Sequence, residues 1–200
     1  SRGLGDVYKR QEGGLVTTSN LDYWKSIWSF KDHGKSWDSV FNKKHSPGFR
    51  WLHDSFGSNF RLTELQAAIG REQLKLLKEW NEIRKKNAEN LIAMLSKFSS
   101  IRMPLPPDNY THAWYKLYCY LRPENLLNGW DRDRIIYEIN TLGFPAFHGG
   151  CSEIYKEKCF EDINLEQSFP LKNAFLLGET SLMFLVHPTI DEKQMNFYSD

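Results

Sequence analysis

The stretch Phe56–Gly70, "FGSNFRLTELQAAIG", opens the longest helical pattern in the chain. Thr63 and Gln66 stand three residues apart just before the apolar run. That is the spacing of a capping box, in which two side chains satisfy backbone N–H groups left over at a helix start. Gly57, Asn59 and Arg61 are then left without a task in the helix. Glycine allows close backbone approach, an amide donates directed hydrogen bonds, and a helix start carries positive partial charge. The group therefore suits an anion. A polar loop closed by an ordinary cap is the alternative, and residue chemistry alone leaves both open.

From Thr63 to about Phe98, apolar residues recur at spacings of three and four: Leu65, Ala68 and Ile69, then Leu76, Leu77, Trp80 and Ile83, then Leu91, Ile92 and Leu95. The polar run "KEWNEIRKKN" allows a bend there, so one helix or two in sequence are expected. Upstream, "GGLVTT" reads as a short strand, and Ser19 with Asp22 can cap a helix reaching about Phe30. Residues 31–58 form a long connection, a length that usually signals function. Its run "KDHGKSWDSVFNKKHSPGFR" (31–50) carries Lys31, Lys35, Lys43, Lys44 and Arg50 against Asp32 and Asp38. With His33 and His45 it could hold a phosphorylated ligand, or it could be a solvated loop.

Downstream, "MPLPPDNY" stops the helix and "WYKLYCYL" reads as an aromatic-rich strand. Trp114, Tyr115, Tyr118 and Tyr120 are expected in the core and on the sheet face. Asp131 caps a helix that Gly143 can end. "FPAF" is a short strand. A helix from Pro170 to about Leu177, the strand "SLMFLV" and a helix opened by Thr189 and Glu192 follow. The order after residue 100 suits a small α+β layer with helices on one face.

Composition sets outer limits. Forty per cent apolar residues in a chain of 200 can bury a core, and a formal charge of +1 gives no bulk field for nucleic acid or anionic membrane. The apolar runs are too short to cross a bilayer. Cys119, Cys151 and Cys159 lack metal-ligand spacing and suggest a reducing cytosol, so a cytoplasmic protein is expected. His33, His45 and His53 show no metal-site pattern, and nothing in the spacing sets His148 as a base beside a cysteine.

Three segments, "EGGLVTTSNLDYWKSIWSFKDHGK" (12–35), "FGSNFRLTELQAAIGREQLKLLKEWNEIRKKNAENL" (56–91) and "GETSLMFLVHPTIDEKQ" (178–194), resemble the DegT-type sugar aminotransferases. "CSEIY" (151–155) resembles a subset linked to lipopolysaccharide sugars. The resemblance implies an α/β fold of the aspartate-aminotransferase type (fold type I, PLP). Its expected divisions are the end of a large PLP-binding domain with an active-site loop (12–60), a connecting helix (61–98) and a small C-terminal α+β domain (99–200) cut before its end. It implies transamination with pyridoxal 5′-phosphate, from glutamate to a nucleotide-linked keto-sugar, in a homodimer with shared active sites. Gly57, Asn59 and Arg61 match a family loop whose Asn reaches the cofactor phosphate of the neighbouring subunit. The resemblance makes Asn59 and Arg61 cofactor-binding and places His33 and Lys35 near the nucleotide-sugar.

One departure stands out. The family's cofactor-binding lysine lies about six residues before the Glu matched here by Glu12, and Asp6 holds that place. "SRGLGDVYKRQ" (1–11) looks unrelated to the family and resembles a translated adapter junction. No catalytic residue is therefore assigned, and the 200 residues alone are expected not to transaminate. A non-catalytic dimerisation module is the rival expectation.

Overall fold

The computed structural model describes residues 14–48, 50–150, 152–161 and 171–199. The expectations for residues 1–11, Glu12 and Cys151 lie outside them. The chain divides into two compact units, Ser1–Leu76 and Leu77–Asp200.

In the first unit, helix α1 (Leu21–Lys31) is capped by Asn20, whose side chain accepts from the Asp22 and Tyr23 amides. The expected cap, Ser19, is one residue too early. The expected strand at 13–18 does not form over the described residues 14–18. Leu15 and Val16 are 79% and 67% exposed, and no described strand lies beside them to accept the ladder bonds that define a strand. The 31–58 connection is not a bare loop. Trp37 packs edge-on against Trp24 and Trp28 at 5.1 and 5.2 Å, with Phe41 4.2 Å from Trp37. This aromatic group anchors a short π-helical turn, Asp38–Asn42, against α1.

Helix α2 (Glu64–Leu95) begins at the expected capping box. The Gln66 amide donates to Thr63 Oγ1, and the Thr63 amide donates to Gln66 Oε1. It runs 32 residues unbroken. The polar stretch that allowed a bend is mostly Lys, Glu, Arg and Asn around Trp80 and Ile83, and its long-chain charged members are good helix formers.

The second unit is built on an antiparallel sheet of four strands. In chain order they are β1 (Ile101–Arg102), β2 (Leu117–Leu121), β3 (Ala146–His148) and β4 (Ser181–Phe184), arranged β1-β2-β4-β3. Cys119 faces Leu182, and Phe147 faces Met183. Alternation along β2 sends Leu117, Cys119 and Leu121 into the core. The aromatics divide as expected between core and sheet face: Trp114 packs against the core cluster, and the alternation sends Tyr118 and Tyr120 to the opposite sheet face, while Tyr115, before the strand, is exposed. Ala88, Leu91 and Leu95 from α2 meet Leu117, Leu182, Val186, Ile190 and Met195 in one cluster. Buried Asn87 donates from Nδ2 to the Ile190 carbonyl at 3.2 Å, tying the helix to the chain after β4.

Three helices complete the unit. Helix α3 (Arg132–Thr141) has Asp131 as its cap, and Gly143 follows at φ +88°. Helix α4 (Lys172–Thr180) leads straight into β4. Helix α5 (Glu192–Ser199) opens on Asp191, not Thr189: the Gln194 amide donates to Asp191 Oδ1, and Gln194 accepts from the Asp191 amide.

Candidate functional site

All four site residues named from sequence lie in the first unit, and the structure gathers them around Asp32. Helix α1 ends at Asp32, after which His33 (φ +59°) and Gly34 (φ +82°) turn the chain in the left-handed region. The turn packs against residues 52–60 by backbone bonds. The His33 amide donates to the Ser58 carbonyl, the Ser58 amide to Phe30, and the Phe60 amide to Lys31. The Asp54 and Ser55 amides both donate to the Gly34 carbonyl. Asp32 bridges Asn59, and Lys35 bridges His53.

This clasp is tight enough to demand two glycines. A Cβ on Gly34 would overlap the Ser55 carbonyl, and one on Gly57 would overlap the Gly34 backbone nitrogen. Gly57, which the sequence pairs with Asn59, thus serves close chain approach.

The side chains form a polar network. The Asp32 carboxylate accepts from Lys35 Nζ at 3.4 Å and pairs with Arg61 Nη1 at 3.5 Å. Arg61 Nε donates to Asn59 Oδ1 at 3.1 Å, and Arg61 Nη2 lies 3.4 Å from His33 Nε2. Asp32 is 13% exposed in its side chain. That burial favours its neutral acid, yet the charges of Lys35 and Arg61 outweigh it and hold the carboxyl below the ordinary 3.8. Asn59 spends its carbonyl oxygen on Arg61, and among the described residues its amide nitrogen has no hydrogen-bond partner. An exposed N–H donor, a guanidinium and an ammonium fit a phosphate-bearing ligand.

Sequence reasoning gave Asp32 only the role of a counter-charge and missed its central position. The signal was present in "KDHGK": a helix-terminal acid followed by a glycine that can turn the chain back.

The other candidates do not join this site. Lys31 Nζ lies 5.0 Å from the centre of the Trp28 ring, and Lys43 donates to Ser39 Oγ, so these two basic residues are engaged locally. His45 Nε2 lies 2.6 Å from the Ser39 carbonyl, away from His33. Among the described residues no three His, Cys, Asp or Glu gather as a metal site. In the second unit, His148 lies 3.6 Å from Asp133 and opens on a polar cleft of about 380 Å³ shared with Arg132, Glu153, Lys156 and Ser181. Burial pushes the Cys119 thiol up to about 12, which leaves it unreactive. No described helix is long and apolar enough to cross a membrane.

Comparisons with known proteins agree on one family. The model of the DegT/DnrJ/EryC1/StrS aminotransferase family matches residues 10–195. An aminotransferase structure from Psychrobacter cryohalolentis superposes with a TM-score of 0.84 at 44% identity, covering 92% of this chain and 48% of that one. L-glutamine:2-deoxy-scyllo-inosose aminotransferase of Streptomyces fradiae is 30% identical over 68% of this chain and 32% of its own length. The E. coli GDP-4-keto-6-deoxy-D-mannose-3-dehydratase, solved with bound hydrated PLP, shares the fold at a TM-score of 0.69 and 19% identity, over 92% of this chain and 48% of that one. The chain thus spans about a third to a half of the length of these proteins. The chain belongs to the DegT/DnrJ/EryC1/StrS aminotransferase family.

Proposed function

We propose that the chain is the later part of a PLP-dependent sugar aminotransferase. Residues 12–60 then end the large domain and carry an active-site loop, 61–98 form the connecting helix, and 99–200 belong to the small α+β domain. The protein would move an amino group from glutamate to a nucleotide-linked keto-sugar for surface polysaccharide or lipopolysaccharide synthesis in the cytoplasm. The nucleotide-linked substrate in the name of the E. coli dehydratase supports that substrate class.

Pyridoxal 5′-phosphate is the family's cofactor, and it supplies an electron sink for proton movement at the reacting carbon. This chain's residues hold and orient. Asn59 would donate its amide N–H to the cofactor phosphate of the partner subunit, a directed contact that adds no charge. Arg61 steadies that amide through its oxygen. His33 and Lys35 face the nucleotide-sugar at the subunit boundary.

One observation carries this reading: Asn59, Arg61, His33 and Lys35, scattered over 29 positions of sequence, converge on Asp32 and leave the Asn59 amide N–H unspent. Replacing Asn59 by Ala in the full-length protein is expected to weaken PLP retention by ~1.5–3 kcal/mol, the worth of a hydrogen bond to a charged group. Equilibrium dialysis of the holoenzyme measures it. Unchanged retention would remove Asn59 from the cofactor and favour the interaction-module reading.

A further inference from the structure

The clasp holds one acid at the centre of a site built for an anion. By charge alone, Asp32 opposes the ligand that Lys35 and Arg61 attract. Its geometry gives it a different task. Its backbone bridges Asn59, and its carboxylate engages the guanidinium that holds the Asn59 oxygen. Arg61 spans three partners at once, Asp32, Asn59 and His33, and Asp32 is the one that supplies a full opposite charge. A planar guanidinium fork fixed by a carboxylate has few ways to turn.

We propose that Asp32 is a positioning residue for the cofactor contact, fixing Arg61 so that Arg61 holds the Asn59 oxygen and leaves the Asn59 N–H for the phosphate. This rests on the assignment of Asn59 to the cofactor phosphate. Lys35, drawn to the same carboxylate oxygen, is steadied by it as well. The acid gives up some attraction for the anion in return for a fixed donor.

The test is PLP retention by the full-length holoenzyme, with the bound cofactor's ³¹P resonance and the thermal melt recorded alongside. Asp32→Asn removes a negative charge, so charge alone would tighten the cofactor. Positioning predicts the opposite, about tenfold weaker retention, as when one hydrogen bond to a charged group loses its alignment. Arg61→Lys keeps the charge but loses the fork, and it should weaken retention to a similar degree with the same direction of ³¹P shift. In an Arg61→Ala background, Asp32→Asn should add nothing. Tighter or unchanged retention in Asp32→Asn, while Asn59→Ala loosens the cofactor, overturns the role of Asp32 and leaves the assignment of Asn59 standing. Unchanged retention in Arg61→Lys also overturns it, even should Asp32→Asn fail to fold. If Asn59→Ala changes nothing, the underlying assignment of Asn59 fails.

Discussion

The two units are held together by different physics. The second unit buries a conventional core: Leu117, Cys119, Leu182, Val186 and Met195 are all but inaccessible. The first unit has no fully buried apolar side chain among its described residues, and Ser39 is the side chain it buries. Its order comes from backbone bonds across the clasp, an edge-packed aromatic group and the Asp32 network. It also shows apolar residues to solvent, Phe56 at 100% and Trp51 at 86%. The lesson is that the unit with its own apolar core is the sheet, and the proposed site residues sit where the chain relies on polar geometry.

Each side of this contrast can be broken separately. The largest effect is expected in the core. Leu182 is 1% exposed, and Leu182→Ala should cost the second unit ~2–5 kcal/mol by lost transfer energy and the cavity left behind. Urea unfolding followed at the sheet measures this, and the clasp amides should keep their shifts below the transition. Next comes the clasp itself. Gly34→Ala forces a side chain into the left-handed region and into the Ser55 carbonyl. The strain should cost ~1–3 kcal/mol locally, read as faster hydrogen exchange at Ser58 and Phe60 with the β2–β4 amides unchanged. If the sheet loosens equally, the contrast between the units is wrong.

The smallest effect is titration. The folded-state value of Asp32 lies below its ordinary 3.8 because Lys35 and Arg61 outweigh its burial. Its contribution is therefore complete above about 3.8 and is lost as pH falls through the lower folded value. Asp54 acts in the same direction, its carboxyl lowered by the hydroxyls of Ser36 and Ser39. The Ser58 and Phe60 amide shifts should move in acid, below about pH 4, before the sheet amides do.

Legibility followed the range of the interaction. Local signals were read directly: the Thr63–Gln66 capping box, the Asp131 cap, the turn at Gly143 and the alternation of "LYCYL". Near-local choices slipped by a residue or two, as with Asn20 for Ser19 and Asp191 for Thr189, because neighbouring polar residues can all cap. Non-local features were hidden. Strand β1 is two residues long and exists only through β2, while 14–18 has strand composition but no described partner. The site was half legible. Asn59, Arg61, His33 and Lys35 could be named from resemblance, but their meeting at Asp32 depends on a turn that crosses from residue 34 to residue 55.

The most direct test of the shared-site claim is subunit mixing. One full-length variant lacks the cofactor-binding lysine and the other carries Asn59→Ala, and the two are unfolded together and refolded as an equal mixture. If Asn59 serves the partner's cofactor, each mixed dimer contains one fully intact site. Random pairing should then restore roughly a quarter of the wild-type number of tight PLP sites, since a two-fold interface pairs the chains symmetrically. If Asn59 serves its own subunit, no intact site can form. Tight PLP binding would stay absent from the mixture, and the account would be contradicted.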